Sequence, residues 1–154
     1  MFRAGRKHGV AFGDGKLAKA EHDWIQLLTY RPDGKELACA AGTGGTASAA
    51  LMTEDGTPQI DGAQWKLVRY ETNGVARAGT ESFRGIAHIA WSSDGARVAF
   101  AARTAEGWRI VCGEQRSDPF DEVGPPRFTA DGAKVAFGAR KGRELWWKVL
   151  ALAK

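Results

Sequence analysis

One thirteen-residue phrase occurs twice in this chain, and the repetition constrains the fold more than any other feature. Trp91-Ser-Ser-Asp-Gly-Ala-Arg-Val-Ala-Phe-Ala-Ala-Arg103 returns 37 residues later as Phe128-Thr-Ala-Asp-Gly-Ala-Lys-Val-Ala-Phe-Gly-Ala-Arg140, with 8 of 13 positions identical. A weaker copy runs from Tyr30 to Gly42. Self-similarity at a fixed period is the mark of stacked units, each burying its apolar face only against a neighbour.

Each copy contains Asp-Gly: Asp33-Gly34, Asp94-Gly95 and Asp131-Gly132. Glycine takes a left-handed backbone without strain, and an aspartate side chain bonds the backbone just after it, so these six positions read as structural turns. A strand-like run follows each turn. Val98 and Phe100 alternate with Ala99 and Ala101, which predicts a strand buried on both faces, with the alanine face letting a neighbouring sheet come close. Trp108 to Cys112 and Trp146 to Leu150 read as a further Trp-bearing strand. The lead-in repeats as well: Phe83, Phe120 and His22 stand at equal distances before Trp91, Phe128 and Tyr30. The unit is thus a four-stranded antiparallel sheet, its last strand the weakest in signal. Glycine supplies 20 of 154 residues, about 13% against a usual level of about 7%, as a turn-rich all-β chain requires.

The run from Phe120-Asp121 through Phe128-Thr-Ala-Asp-Gly-Ala-Lys-Val-Ala-Phe to the Trp-bearing strand resembles the bacterial WD40-like β-propeller repeats, the group that includes the TolB-type propellers. The likeness is strong over 83–150, fair over 1–42 and poor over 43–82. It implies an all-β fold of about three four-stranded blades, forming a partial propeller or half of a six-bladed ring. The single repeat domain 1–154 divides into a partial blade 1–23, a blade with an insertion 24–82, a blade 83–119 and a partial blade 120–154. Such propellers serve as binding platforms, or as accessory domains of larger hydrolases such as peptidases of the prolyl oligopeptidase type.

Other segments are placed by this frame. Aligned without a gap, Phe2 meets Phe100 and Gly9 meets Gly107. Val10 to Gly13 then fall on the Trp-strand slot, with an Asp-Gly turn at 14–15. Residues 24–30 read as a strand in spite of helix formers upstream. Residues 42–63 are irregular, and the Asp-Gly spacing of 61 between Gly34 and Gly95, against 37 for the next pair, implies either an insertion of about 20 residues, the preferred reading, or a degenerate fourth repeat with its turn at Tyr70 to Gly74.

The search for chemistry finds no catalytic constellation. There is no nucleophile elbow, no phosphate loop and no zinc spacing. The expectation is therefore no catalytic residue, no metal and no cofactor. Cys39 fills the slot of Phe100 and Phe137 and reads as a small core residue; with Cys112 it makes no disulfide framework. His8 reads as exposed, His22 as a packing residue and His88 as a satisfied strand histidine. Asp23 and Asp121 recur in register and predict a structural hydrogen bond between blades. Lys66, Arg109 and Lys148 interleave with tryptophans, a weak pattern for nucleic acid that solvated strand charges explain as well. The formal charge of +4 is too small for a dedicated nucleic-acid tail.

The leading expectation is a non-catalytic module that binds a protein or ligand through a loop face, with the repeat-equivalent Arg103 and Arg140 as binding residues; the alternatives are an accessory propeller domain or fragment of a larger peptidase or glycan-processing hydrolase, and weak nucleic-acid binding. The basic N-terminus has no apolar stretch of a signal peptide, which predicts a cytoplasmic protein, or a periplasmic one if a leader is missing. No apolar run is long enough to span a membrane. Closed propellers use four to eight blades. Three therefore predict a homodimer through open blade edges, or pairing of the chain's two ends.

Overall fold

The computed structural model describes residues 1–4, 7–12, 21–52 and 58–153. They form sixteen strands and no helix, so none of the described residues lies in a helix long and apolar enough to cross a membrane. β1 (Phe2–Ala4) and β2 (Lys7–Gly9) make a hairpin. The first blade takes β3 (Trp24–Tyr30) and β4 (Glu36–Thr43), then an excursion through β5 (Thr46–Met52) and β6 (Pro58–Asp61), then β7 (Gln64–Glu71) and β8 (Ala76–Ala78). Its order is β3-β4-β7-β8. The excursion prolongs the β4–β7 hairpin: Thr43 faces Gln64, and beyond a glycine break Thr46 faces Asp61. The turn expected at 14–15 lies outside the described residues.

The second blade is β9 (Gly85–Trp91), β10 (Val98–Arg103), β11 (Trp108–Cys112) and β12 (Gln115–Arg116), paired in that order. The third has β13 (Glu122–Val123), β14 (Arg127–Phe128), β15 (Lys134–Lys141) and β16 (Glu144–Ala151). Here β13 and β14 both pair with β15 and together take the place of one inner strand, so this sheet has three strand positions. The whole is an open, all-β array of propeller-type blades, none closed into a barrel.

The blades stack through three apolar clusters, and the strand after each Asp-Gly turn serves two of them. In β10, Phe100 and Ala102 face the first blade, while Ala99 and Ala101 face the third. In β4, Leu37, Cys39 and Ala41 pack against Val10 and Phe12, while Ala40 faces the second blade. The large side chains thus point to the preceding unit, and only alanines face the following one. The third blade departs from the two-sided burial expected of it. Val135, Phe137 and Ala139 are buried against the second blade, but Ala136 and Gly138 are half-exposed, because no described residues stack on that side.

Consecutive blades are tied by a repeated bridge. Trp65 exchanges backbone hydrogen bonds with Phe83, and Trp108 with Phe120, at 2.8–2.9 Å. His8 bridges His22 in the same way, so His8 stands where Trp108 stands in its blade. Val10 and Phe12 then occupy the places of Ile110 and Cys112, two residues away from the gapless alignment. The third Trp-bearing strand also slips. Arg103 faces Trp108 and Arg140 faces Leu145, so Leu145, not Trp146, is the equivalent of Trp108. Among the described residues, the two ends of the chain are not paired with each other. β1 and β2 sit beside the first blade, and Leu152 and Ala153 bond to Ala133 and Arg97.

Candidate functional site

The recurring polar residues are used by the turns. Gly34, Gly95 and Gly132 have φ of 72, 69 and 65°, each between the first two strands of its blade. Their N–H groups donate to Arg31, Ser92 and Thr129 at 2.9 Å. Asp33, Asp94 and Asp131 each accept, at 3.0 Å, the N–H two residues on. The hydroxyls of Ser92 and Thr129 donate to Asp94 and Asp131 at 2.5 Å. Those hydroxyls, then the backbone donors, hold both carboxyls below the usual aspartate range.

Asp23 and Asp121 are equally committed. Asp121 accepts the Gly142 N–H at 2.6 Å, and Asp23 accepts the Gly44 N–H at 2.9 Å, each closing a turn of its own blade. Only Asp23 also reaches the neighbouring unit, through Lys7 Nζ at 2.7 Å. Its pKa is lowered first by that lysine and then by Gly44. The expected blade-to-blade bond is therefore mainly a bond within a blade. His8 is not a free surface residue: its Nδ1 donates to the Asp23 carbonyl at 2.7 Å, and its ring stacks on Trp24.

Between the second and third blades lies a cleft of about 600 Å³. Its lining includes the small residues Ala87, Gly124 and Gly138, and the larger Trp108, Trp146 and His88. His88 reaches it through a bulge. β9 slips in register against β10 between Ala99 and Ala101, and His88 takes φ 52°. The alternation expected of Ile86 to Ala90 fails at that point, and the ring projects at an exposed rim instead of being a satisfied strand histidine. Desolvation by surrounding atoms lowers its pKa from the ordinary histidine value. Trp146 lines the cleft because of the slip in β16: it stands at the position of Arg109, and Lys148 Nζ lies 4.6 Å from its ring centre.

Arg140 is also in this lining, but its head group is occupied. Nε donates to Glu122 at 2.9 Å and Nη1 to the Gly142 carbonyl at 3.1 Å. The pair raises the arginine pKa and lowers that of Glu122. Arg103 holds the equivalent place in the second blade and is exposed, yet it does not line the cleft. Opposite it stands Gly85, where Arg140 has Glu122. The two arginines share a position and not a site.

A larger groove of about 720 Å³ between the first two blades includes Arg69, Arg77, Arg97 and Arg116 in its lining. Their charges are engaged: by Glu36 at 2.9 Å, by Glu71 at 2.6 Å, by the Ala153 carbonyl at 2.8 Å, and by Glu81. A groove whose cations are already paired is a poor anion site, so size does not decide in its favour. Nor do Arg109 and Lys148 form a basic stripe, since Arg109 pairs with Glu106 and Lys148 lies over Trp146. Among the described residues no group of three or more His, Cys, Asp and Glu is placed to hold a metal ion.

No protein-family model matches the sequence, and no curated protein matches it either. The crystal structure of TolB from Acinetobacter baumannii is similar in fold, with a TM-score of 0.53 at 18% identity. The match covers 95% of this chain and 37% of that one. The chain therefore spans well under half the length of the matched protein, and the likeness is one of propeller-type fold.

Proposed function

We propose that the protein is a non-catalytic β-propeller module that binds a peptide segment of a protein partner in the cleft between its second and third blades. The observation that carries this reading is the cleft itself: small residues beside two tryptophans and a histidine. Its volume of about 600 Å³ falls among those of pockets that accept small ligands and short segments. Aromatic walls supply contact area at low conformational cost, and the exposed edge of Trp146 gives an incoming side chain a stacking surface. The Arg140–Glu122 pair at the rim offers polar atoms for orientation without presenting an unpaired charge. The aspartates of the turns are saturated and have no part in this.

The test is a displayed library of random peptides panned against the immobilised protein, followed by titration of the selected peptides. We expect aromatic or aliphatic peptides to be enriched, and Trp108→Ala or His88→Ala to weaken them about tenfold with unchanged circular dichroism. Peptides that bind wild type and both variants alike would remove the cleft from the account. A single-stranded oligonucleotide retained on filters with strong salt dependence would replace the peptide reading with a nucleic-acid one.

A further inference from the structure

Among the described residues, most outer and inner strands of the three blades have edges that are bulged, broken or short, and β16 does not. Inner strands β3 and β9 carry bulges at Leu27 and His88, and the third inner strand is interrupted by Gly124, Pro125 and Pro126. Bulges and prolines are the ordinary means of stopping an edge from pairing with another chain. Outer strands β8 and β12 are three and two residues long, too short to template much. β16 is different. It runs eight residues without glycine or proline, and its register with β15 is unbroken from Lys134–Ala151 to Lys141–Glu144. No described strand lies on its outer side, where β8 and β12 flank β7 and β11. Its side chains are exposed as well: Leu145 by 82%, Trp147 by 69% and Val149 by 55%.

We propose that β16 pairs antiparallel with β16 of a second copy, in a register centred on Trp146, so that each copy supplies the other's fourth strand. Charge selects the occupant and the register. Glu144, Trp146 and Lys148 alternate along one face of the strand. With Trp146 opposite its own counterpart, Glu144 of each copy faces Lys148 of the other, and the two-fold axis makes that pair twice. On the other face Leu145 meets Trp147. A shift of one residue turns the faces over, and a shift of two leaves both charges facing apolar residues. The ladder is short. A single added strand pairing is a small contact beside the interfaces of obligate dimers, so the association is expected to depend on concentration. The proposal shares Trp146 with the peptide cleft, but its charge-reversal tests use Glu144 and Lys148, which lie outside the cleft lining, so the two readings fail separately.

The experiment is sedimentation velocity over about 1 to 200 μM for wild type, E144K, K148E and the double variant. Each single reversal sets like charges opposite each other twice and is expected to weaken the dimer about tenfold. The double variant restores opposite charges and is expected to return to wild-type association, which also shows that the single variants fail by charge and not by misfolding. In parallel, W146C brings two thiols face to face at a spacing a disulfide tolerates, whereas V149C does not. The native Cys39 and Cys112 are buried and do not compete. Fast oxidative cross-linking of W146C and slow cross-linking of V149C are expected. A monomer throughout, a dimer indifferent to E144K, no rescue by the double variant, or equal cross-linking at both positions each overturns the proposal.

Discussion

Gly95 and Gly132 hold the same place in the same turn, yet their surroundings separate them. Both have a left-handed backbone, which costs an L-residue about 1–2 kcal/mol. A Cβ on Gly132 would meet nothing within 4 Å, whereas one on Gly95 would lie 2.5 Å from Arg31 Nε. Arg31 is itself placed 3.3 Å from Asp33 and 3.6 Å from Glu36. Gly132→Ala is therefore expected to lower stability by about 1 kcal/mol in urea unfolding, and Gly95→Ala by more, because Arg31 must give way. Equal losses would mean that Arg31 moves freely. The turn is legible in Asp-Gly alone. The arginine contact is not, because it exists only once two blades are stacked. The same holds for His22. It fills the slot where Phe83 and Phe120 make edge contacts with Phe100 and Phe137 at 5.6 and 6.1 Å. The slot predicts packing, and the ring is indeed half-buried, but its bond to the Tyr70 hydroxyl at 2.9 Å depends on a residue far away in sequence. Cys39 beside it is the small core residue that its slot implies, with its thiol pKa pushed up to about 12 by burial.

At the scale of the strand, sequence alternation describes β4, β10 and β15 well and the inner strands poorly. Leu27 and His88 are equivalent residues, with φ of 58 and 52°, and the third blade has Pro125 at that position. A bulge adds one residue to one strand, so a strict two-residue period reads through it without notice. The left-handed backbone is unfavourable for histidine, and its side chain is exposed there. His88→Gly is therefore expected to leave stability unchanged or raise it by up to about 1 kcal/mol, the relief of strain offsetting the entropy that glycine loses. Ala90→Gly, two residues on in regular strand, is expected to lower it by about 0.5–1 kcal/mol. Thermal unfolding of the two variants side by side checks this, and a clear loss in His88→Gly would mean the ring contributes packing at the cleft. The slip in β16 was hidden for a similar reason. Two adjacent tryptophans, Trp146 and Trp147, invite alignment of the first with Trp108, but the 37-residue period points to Leu145, and backbone pairing agrees with the period. That one-residue difference sends Trp146 into the cleft and leaves Trp147 exposed where Ile110 is fully buried.

For the molecule as a whole, stability in a stacked array is a sum of blade terms and neighbour terms, so a sheet covered on one face holds less than a sheet covered on both. β10 lies between two apolar clusters, and β4 likewise, while β15 contributes to one. The repeat made the three strands look interchangeable, because sequence identity reports the residues of a face and not whether that face is covered. Hydrogen exchange followed by mass spectrometry distinguishes them. Below about 1 μM, amides of β10 and β4 are expected to exchange slowest and those of β15 measurably faster, since local opening costs least where fewest apolar contacts are lost. As concentration rises, protection is expected to grow first in Glu144–Ala151, whose outer backbone groups an antiparallel partner would occupy, while β10 remains unchanged. Uniform protection at low concentration would mean that the three blades open as one cooperative unit, with the uncovered face of Ala136, Gly138 and Trp147 carrying no penalty in local stability.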